Sequence, residues 1–340
     1  MKKIKAGIVN VTGYAGMELA RLLGEHPEVE IAYATGRSSA GQTLSKFLPH
    51  LSSLDITITE EAGEADVAFL ALPHRESAAQ AVRLLDRNIK VIDVSADFRL
   101  KDASLYSEWY SFDHPAPELL TEAVYGLPEL YRSQIRSARL VANPGCYPTS
   151  AILALAPALK AGIIKDSIII DAKSGLSGAG RTLSMKSHFC EANENVSAYA
   201  LEGHRHFPEI DQELAKAGNS SKLRITFVPH LIPVTRGILS SCYADLSGNI
   251  SQTEIEKIYS SFYTDEPFVR LTEAPPGISQ TRGSNYCMVY PRIDQRTGRL
   301  LVISAIDNLI KGAAGQAIQN MNIMFGIEEK TAISMPALYP

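Results

Sequence analysis

Of the four cysteines in this 340-residue sequence, Cys146 has surroundings that favour reaction. It lies in Asn143-Pro-Gly-Cys-Tyr-Pro-Thr149, after a short apolar strand pattern at 140–142 and before a helix expected over 149–159. Pro148 suits a first helical position. A thiol just ahead of a helix faces the positive end of the dipole, which favours the reactive thiolate. The segment also falls at the carboxyl end of a strand, where open α/β sheets bind ligands. Cys242 and Cys287 sit in strand patterns and read as packing residues; Cys190 has no decisive setting. No C-x-x-C and no zinc-finger spacing is present.

A thiolate beside a nicotinamide supports aldehyde–thioester chemistry, which also needs a proton shuttle. Gly203-His204-Arg205-His206-Phe207-Pro208-Glu209 offers two histidines, and in extended backbone residues two apart point the same way. A metal reading of the same pair finds two ligands and no third. His26, His50 and His114 read as ordinary packing or surface residues. Arg99, after the strand at 90–95, and Arg236, at the start of another, are candidate anion ligands or structural ion-pair partners. Ser174-Gly-Leu-Ser-Gly-Ala-Gly-Arg181 reads as an anion cradle built from free N–H groups or as a loop.

These residues need a scaffold. Residues 5–11 read as a strand that runs into a turn with Gly13 and Gly16, then a helix carrying Leu19, Leu22 and Leu23 on one face. A G-x-x-G-x-x-G turn would have glycine at 10, where this chain has Asn10, a residue that tolerates left-handed backbone. Such a turn brings a pyrophosphate against a helix N-terminus. The second strand, 29–35, ends in Thr-Gly-Arg37-Ser38-Ser39 without the acid that holds an NAD ribose, so a 2′-phosphate and NADP are expected. Strands at 66–72, 90–95 and 140–142 and a helix at 76–87 complete a doubly wound parallel sheet. The second half reads as α+β with a mostly antiparallel sheet: strands at 167–172, 222–229, 236–246, 285–293 and 299–306, with a capping-box helix at 251–263. A last helix is expected over 309–325, ended by Gly326. The domains are expected to be 1–145 with 308–340, and 146–307.

Composition excludes several classes. The formal net charge of −4 argues against a general nucleic-acid binder. No apolar run reaches the roughly 18 residues of a membrane span. The first residues lack a signal-peptide pattern, so a cytoplasmic protein without disulfides is expected.

Taken together the motifs resemble the N-acetyl-γ-glutamyl-phosphate reductase family, within the aspartate-semialdehyde dehydrogenase-like superfamily. The residues that carry the resemblance are GYAG at 13–16, SADFRL at 95–100, YGLPEL at 125–130, NPGCYPT at 143–149, SGLSGAGR at 174–181, GHRHFPEI at 203–210, PHLIPVTRGIL at 229–239 and AIDNLIKGAAGQAIQNMN at 305–322. The resemblance implies a Rossmann-type NADP(H) domain plus a catalytic and dimerisation domain. It implies Cys146 as nucleophile with His204 and His206 as the acid–base centre, which of them moves the proton being open. The substrate-facing set is Arg99, Asn143, Ser174, Arg205 and Arg236. The cofactor set is Gly13, Tyr14, Ala15, Gly16, Arg37, Ser38, Ser177, Gly178 and Asn308, and no metal is expected. The implied reaction reduces an acyl phosphate with release of inorganic phosphate in a homodimer or homotetramer. The same chemistry on a carrier-bound aminoadipyl or glutamyl phosphate or on aspartyl phosphate, and a non-catalytic NADP sensor, are the alternatives.

Overall fold

The computed structural model describes residues 2–220 and 223–340. It divides into two compact units, one running to Gly145 and taking in Ala313–Ser334, the other Cys146–Gly312 with Met335–Pro340. The expected return to the first unit at 308 therefore comes at Ala313, and residues 335–340 group with the second unit.

The first unit holds a parallel sheet of seven strands: β1 (Ile4–Val9), β2 (Val29–Thr35), β3 (Ile58–Thr59), β4 (Val67–Leu70), β5 (Lys90–Asp93), β6 (Val124–Tyr125) and β7 (Leu140–Ala142), in the order β3-β2-β1-β4-β5-β7-β6. All four residues of β4 are buried, as expected of a strand covered on both faces. The order reverses between β1 and β4, the switch point at which doubly wound sheets open a ligand crevice. Helix Gly315–Met324 packs on helices Pro128–Ser137 and Tyr14–Gly24 and on β5. Asn320 Nδ2 anchors it to the Gly126 carbonyl (2.8 Å) and to Asn143 Oδ1 (3.1 Å). Among the described residues no helix is long and apolar enough to cross a membrane.

The second unit holds a mixed sheet: β8 (Ile164–Gly175), β9 (Ser197–Ala198), β10 (Arg224–Ile232), β11 (Ile238–Leu246), β12 (Val269–Leu271), β13 (Cys287–Asp294) and β14 (Arg299–Ile306), ordered β12-β13-β14-β11-β8-β10-β9. β10 with β8 and β12 with β13 are parallel; the other pairs are antiparallel. The strand expected from 222 begins, among the described residues, at Arg224; Lys222 lies outside them. Helix Cys146–Lys160 lies against one face, where Ser150 Oγ meets Ser240 Oγ (2.9 Å) and Ser304 Oγ (2.7 Å). Every residue of this helix from Tyr147 to Leu159 is buried, so it is covered all round rather than on one face. Pro157 removes the N–H that the Leu153 carbonyl would accept, and the Tyr263 hydroxyl donates to that carbonyl instead. On the opposite face, Tyr243 lies beside Ile169 and Leu301 in register, all three partly or fully exposed.

Candidate active site

In the first unit the site is built at the carboxyl ends of β1, β2 and β4. Asn10 has φ +69°, the left-handed conformation for which glycine is usual. Its side chain adds bonds that glycine lacks: Nδ2 donates to the Ala71 carbonyl (2.8 Å) and Oδ1 accepts from Thr12 Oγ1 (2.9 Å), while its backbone N–H reaches Thr35 Oγ1 (3.1 Å). Asn10 thus ties the ends of three strands. Gly16 is required by packing, because a Cβ there would lie 2.3 Å from the Asn10 carbonyl oxygen. Gly13 has no protein atom within 3.5 Å of where its Cβ would be, and it opens helix Tyr14–Gly24 without a side-chain cap. Tyr14, Ala15 and Gly16 form that first turn, whose N–H groups suit an anion.

The adjoining cleft, of about 480 Å³, is lined by Asn10, Thr12, Arg37, Ser38, Glu76 and Arg83 among others. Arg37 is exposed and paired with Glu76 at 2.9 Å. The strand end carries no acid, yet the fold brings Glu76 to it from the start of the helix after β4. Arg83, on helix Ser77–Leu85, is a second cation in this cleft that spacing along the chain does not point to.

Arg99 is buried at 6% exposure; its Nε donates to the Asn143 carbonyl (2.8 Å) and Nη2 to the Val94 carbonyl (2.8 Å). It clamps the segments that follow β5 and β7, so these two donors are spent on main chain rather than on an anion. Asn143 is fully buried and donates from Nδ2 to the Ala313 carbonyl (3.1 Å). Nearby, Asp97 accepts the backbone N–H groups of Arg75 (3.0 Å) and Ala78 (3.0 Å), holding the start of helix Ser77–Leu85. Burial, then the neighbouring Asp97 charge, raises the Asp93 carboxyl well above the carboxylate range, and burial raises Asp97 too. Gln316 is fully buried and neither of its amide atoms has a hydrogen-bond partner. It was not singled out from the sequence, where only its place inside the 305–322 motif marks it.

In the second unit Cys146 is the first residue of helix Cys146–Lys160, half-buried, not a residue preceding a helix that starts at 149. Pro148 is consequently the third helical residue, still within the turn whose N–H groups have no helical acceptor. A Cβ on Gly312 would lie 2.7 Å from Cys146 Cβ, so only glycine fits against the cysteine. Gly312 belongs to a π-helical turn, Ile310–Ala314, which replaces the first part of the helix expected from 309; the Gly312 N–H reaches the Asp307 carbonyl five residues back (3.0 Å). Cys242 and Cys287 are buried in strands, burial pushing the Cys242 thiol up, and Cys190 is exposed.

His204 and His206 do come together, with ring centroids 5.0 Å apart, but not through extended backbone. They flank a turn: the His206 N–H donates to His204 Nδ1 (3.0 Å), and His206 is the N-cap of helix Phe207–Ala217. With Nδ1 accepting, the ring proton is on Nε2, which donates to the Tyr199 hydroxyl (3.2 Å). Tyr199 then donates to Tyr147 (3.4 Å) and Tyr147 to the His230 carbonyl (3.0 Å). Tyr147, next to the cysteine, packs edge-on against both histidine rings, at 5.5 Å and 6.0 Å. Burial, then the Arg205 charge, lowers His204 to about 4; burial pushes Tyr199 up to about 12. Arg205 itself is exposed.

The glycine-rich turn after β8 is locked differently from its expected form. The N–H groups of Gly175, Leu176 and Ser177 donate to the carbonyls of Gly237, Val234 and Thr235, and that of Gly180 to Ser177. These four are therefore not free for an anion. Ser174 Oγ donates to the Gly175 carbonyl (2.9 Å), and a Cβ on Gly178 would approach that hydroxyl. Asn308 bridges the turn to β11, donating to Ser177 Oγ (3.0 Å) and accepting the Gly237 N–H (2.8 Å). Arg236 faces the buried Asp307 carboxylate at 3.6 Å. Among the described residues no group of three or more His, Cys, Asp or Glu side chains could hold a metal ion.

Two family models match this chain: "Semialdehyde dehydrogenase, NAD binding domain" over residues 5–138 and "Semialdehyde dehydrogenase, dimerisation domain" over 146–308. An N-acetyl-gamma-glutamyl-phosphate reductase of Dehalococcoides mccartyi is 60% identical across 100% of both chains. The chain belongs to the N-acetyl-gamma-glutamyl-phosphate reductase family. Another member, from Desulfotalea psychrophila, is 52% identical over 99% of this chain and 100% of its own. Solved structures place the family's fold among the semialdehyde dehydrogenases. Aspartate semialdehyde dehydrogenase II of Vibrio cholerae, complexed with ASA, matches with TM-score 0.74 and 16% identity over 96% of this chain and 99% of its own. The Candida albicans aspartate semialdehyde dehydrogenase with NADP matches with TM-score 0.71 and 18% identity over 95% and 99%.

Proposed function

We propose that this chain reduces N-acetyl-γ-glutamyl phosphate to N-acetylglutamate 5-semialdehyde with NADPH, a step of arginine biosynthesis, through a thioester on Cys146. The observation that carries the reading is a cysteine at the first residue of a helix, whose next residue, Tyr147, packs against a histidine pair, in a chain 60% identical end to end to a curated reductase of that name. The Cys146 thiolate attacks the acyl carbon, and the C–O bond to phosphate breaks; phosphate leaves, taking a proton from solution. When bound, NADPH supplies the hydride that reduces the thioester. A histidine of the 204–206 turn gives a proton to the resulting oxyanion and takes it back as the C–S bond breaks, which releases the aldehyde and restores the thiolate.

The uncapped first turn at residues 13–16 suits the pyrophosphate, and Arg37, Ser38 and Arg83 suit a 2′-phosphate. Buried Gln316 carries an unspent amide donor and acceptor, which suits a carboxamide. Ser177, Gly178 and Asn308 act by shaping the turn after β8. Arg236 and Arg205 are the cations of the second unit that we assign to the substrate's anionic groups, with Ser174 beside them. Arg99 and Asn143 act by fixing the strand ends. The dimerisation module carries a sheet face with Ile169, Tyr243 and Leu301 partly open, and a second copy covers it in a cytoplasmic homodimer or homotetramer.

The test is the reverse reaction. Purified protein with NADP, phosphate and N-acetylglutamate semialdehyde should form NADPH, none should form without phosphate, and aspartate semialdehyde should not substitute. Cys146→Ser should abolish turnover. NADPH formation at near-normal rate in that variant would end the thioester scheme, and activity on aspartate semialdehyde alone would end the substrate assignment.

A further inference from the structure

Three histidines of this chain share one local geometry. The N–H of Glu28 donates to His26 Nδ1 (3.2 Å), that of Ala116 to His114 Nδ1 (3.2 Å) and that of His206 to His204 Nδ1 (3.0 Å). In each, a ring nitrogen accepts the backbone N–H two residues on, as an Asn or Asp oxygen does in an Asx turn. In each, Nε2 is then the protonated nitrogen and meets a fixed acceptor: Asn322 Oδ1 (3.0 Å), the Asp97 carbonyl (2.6 Å) and the Tyr199 hydroxyl (3.2 Å). His26 and His114 are buried, and each braces a turn. His204 has their geometry, and His206 takes the other part in the bond, presenting its main chain and leaving its ring outside any such turn.

Resting on the reading of the preceding subsection, we propose that His204 is a positioning residue and that His206 alone moves the proton. His204 holds the His206 main chain through Nδ1, and is itself held through Nε2 by Tyr199 and, behind it, Tyr147. A protonated His204 would turn Nδ1 into a donor aimed at a donor, so the turn would open. The surroundings oppose that charge. Arg205 is the adjacent cation, Phe227 and Tyr147 pack their rings 5.5 Å from the imidazole, and the rings of Tyr199 and His206 complete its titratable surroundings. Burial lowers all three bracing histidines from their ordinary range, consistent with rings kept neutral.

The substitution that separates the roles is His204→Asn, whose Oδ1 can accept the same N–H. His204→Ala should lower kcat about 100-fold with KM little changed, and His204→Asn should recover at least about tenfold of that loss; both should keep the wild-type pH–rate limb. His206→Asn should lower kcat about 1000-fold and abolish the limb. Tyr199→Phe should lower kcat a few-fold and keep it. In 15N-histidine-labelled full-length protein, the His204 ring should hold one tautomer, proton on Nε2, from pH 5.5 to 9. A His204 ring that titrates between pH 6 and 8, or a His204→Asn variant no better than His204→Ala and lacking the limb, would overturn the proposal. The NMR arm needs no turnover. Absence of activity on the acetylated semialdehyde would therefore defeat the functional reading alone, and failure of His204→Ala to fold would leave the tautomer and His204→Asn to decide.

Discussion

The turns after β1 and β8 are both rich in glycine and both follow a strand, yet their backbones are spent in opposite ways. After β1, Gly16 is fixed by contact with the Asn10 carbonyl, the Asn10 side chain ties the turn to the end of β4, and the helix start at Gly13 has no capping side chain. After β8, a Cβ on Gly175 would lie 2.9 Å from the main chain of Thr235 and Arg236, and four N–H groups are already bonded within the protein. The glycines of the second turn admit another stretch of main chain. Those of the first admit a helix on one side and leave Gly13 open on the other. Whether a glycine-rich turn binds an anion is decided by where its N–H groups go, which glycine count does not report.

Four substitutions test that difference, in descending order of expected effect on stability. Gly16→Ala puts a Cβ 2.3 Å from the Asn10 oxygen and 2.8 Å from Val11 Cα, both main chain, and should destabilise the chain by about 3 kcal/mol in urea unfolding while removing NADP binding. Gly175→Ala meets the main chain of residues 235–236 and should cost about 2 kcal/mol, with NADP affinity reduced only through the loss of fold. If it weakens NADP binding at unchanged melting temperature, the second turn is a cradle too and the distinction fails. Asn10→Gly keeps the positive φ and loses two side-chain hydrogen bonds, so its melting point should drop by the equivalent of about 1–2 kcal/mol. Gly13→Ala meets nothing closer than Asn10 Nδ2 at 3.7 Å, so stability should stay within about 0.5 kcal/mol. Its NADP-induced rise in melting temperature should nevertheless shrink, because the new methyl would stand where the proposed site receives the pyrophosphate.

The same contrast explains what could be read from the chain. Strands 29–35, 140–142 and 299–306 were legible to the residue because long apolar runs or turn signals bound them. The capping box at Ser251 and Glu254 forms both of its bonds, since it needs only residues three apart. Helix Ser104–Tyr110 was not legible: Tyr106 stacks near Tyr110, Phe112 and His114, so it is held by tertiary packing of aromatics rather than by a periodic stripe. The two-residue strands β3, β6 and β9 are too short to carry a period at all. In the site, residue types pointed to Cys146 and the histidine pair. The helix start at 146, the π turn at 310–314 and the partner of each imidazole nitrogen depend on contacts far along the chain, and residue types do not carry those.

The return of residues 313–334 to the first unit sets an order for the making of the protein. A chain leaving the ribosome at 5–20 residues per second needs about 10–40 s to pass from Gly145 to Ser334. Over that interval the nucleotide-binding sheet lacks the helix that carries Asn320 and Gln316, and residues 146–312 of the second unit are all made before that helix is. Cys146 is therefore synthesised, and the strands of its own sheet with it, before the unit that holds β1 to β7 can close.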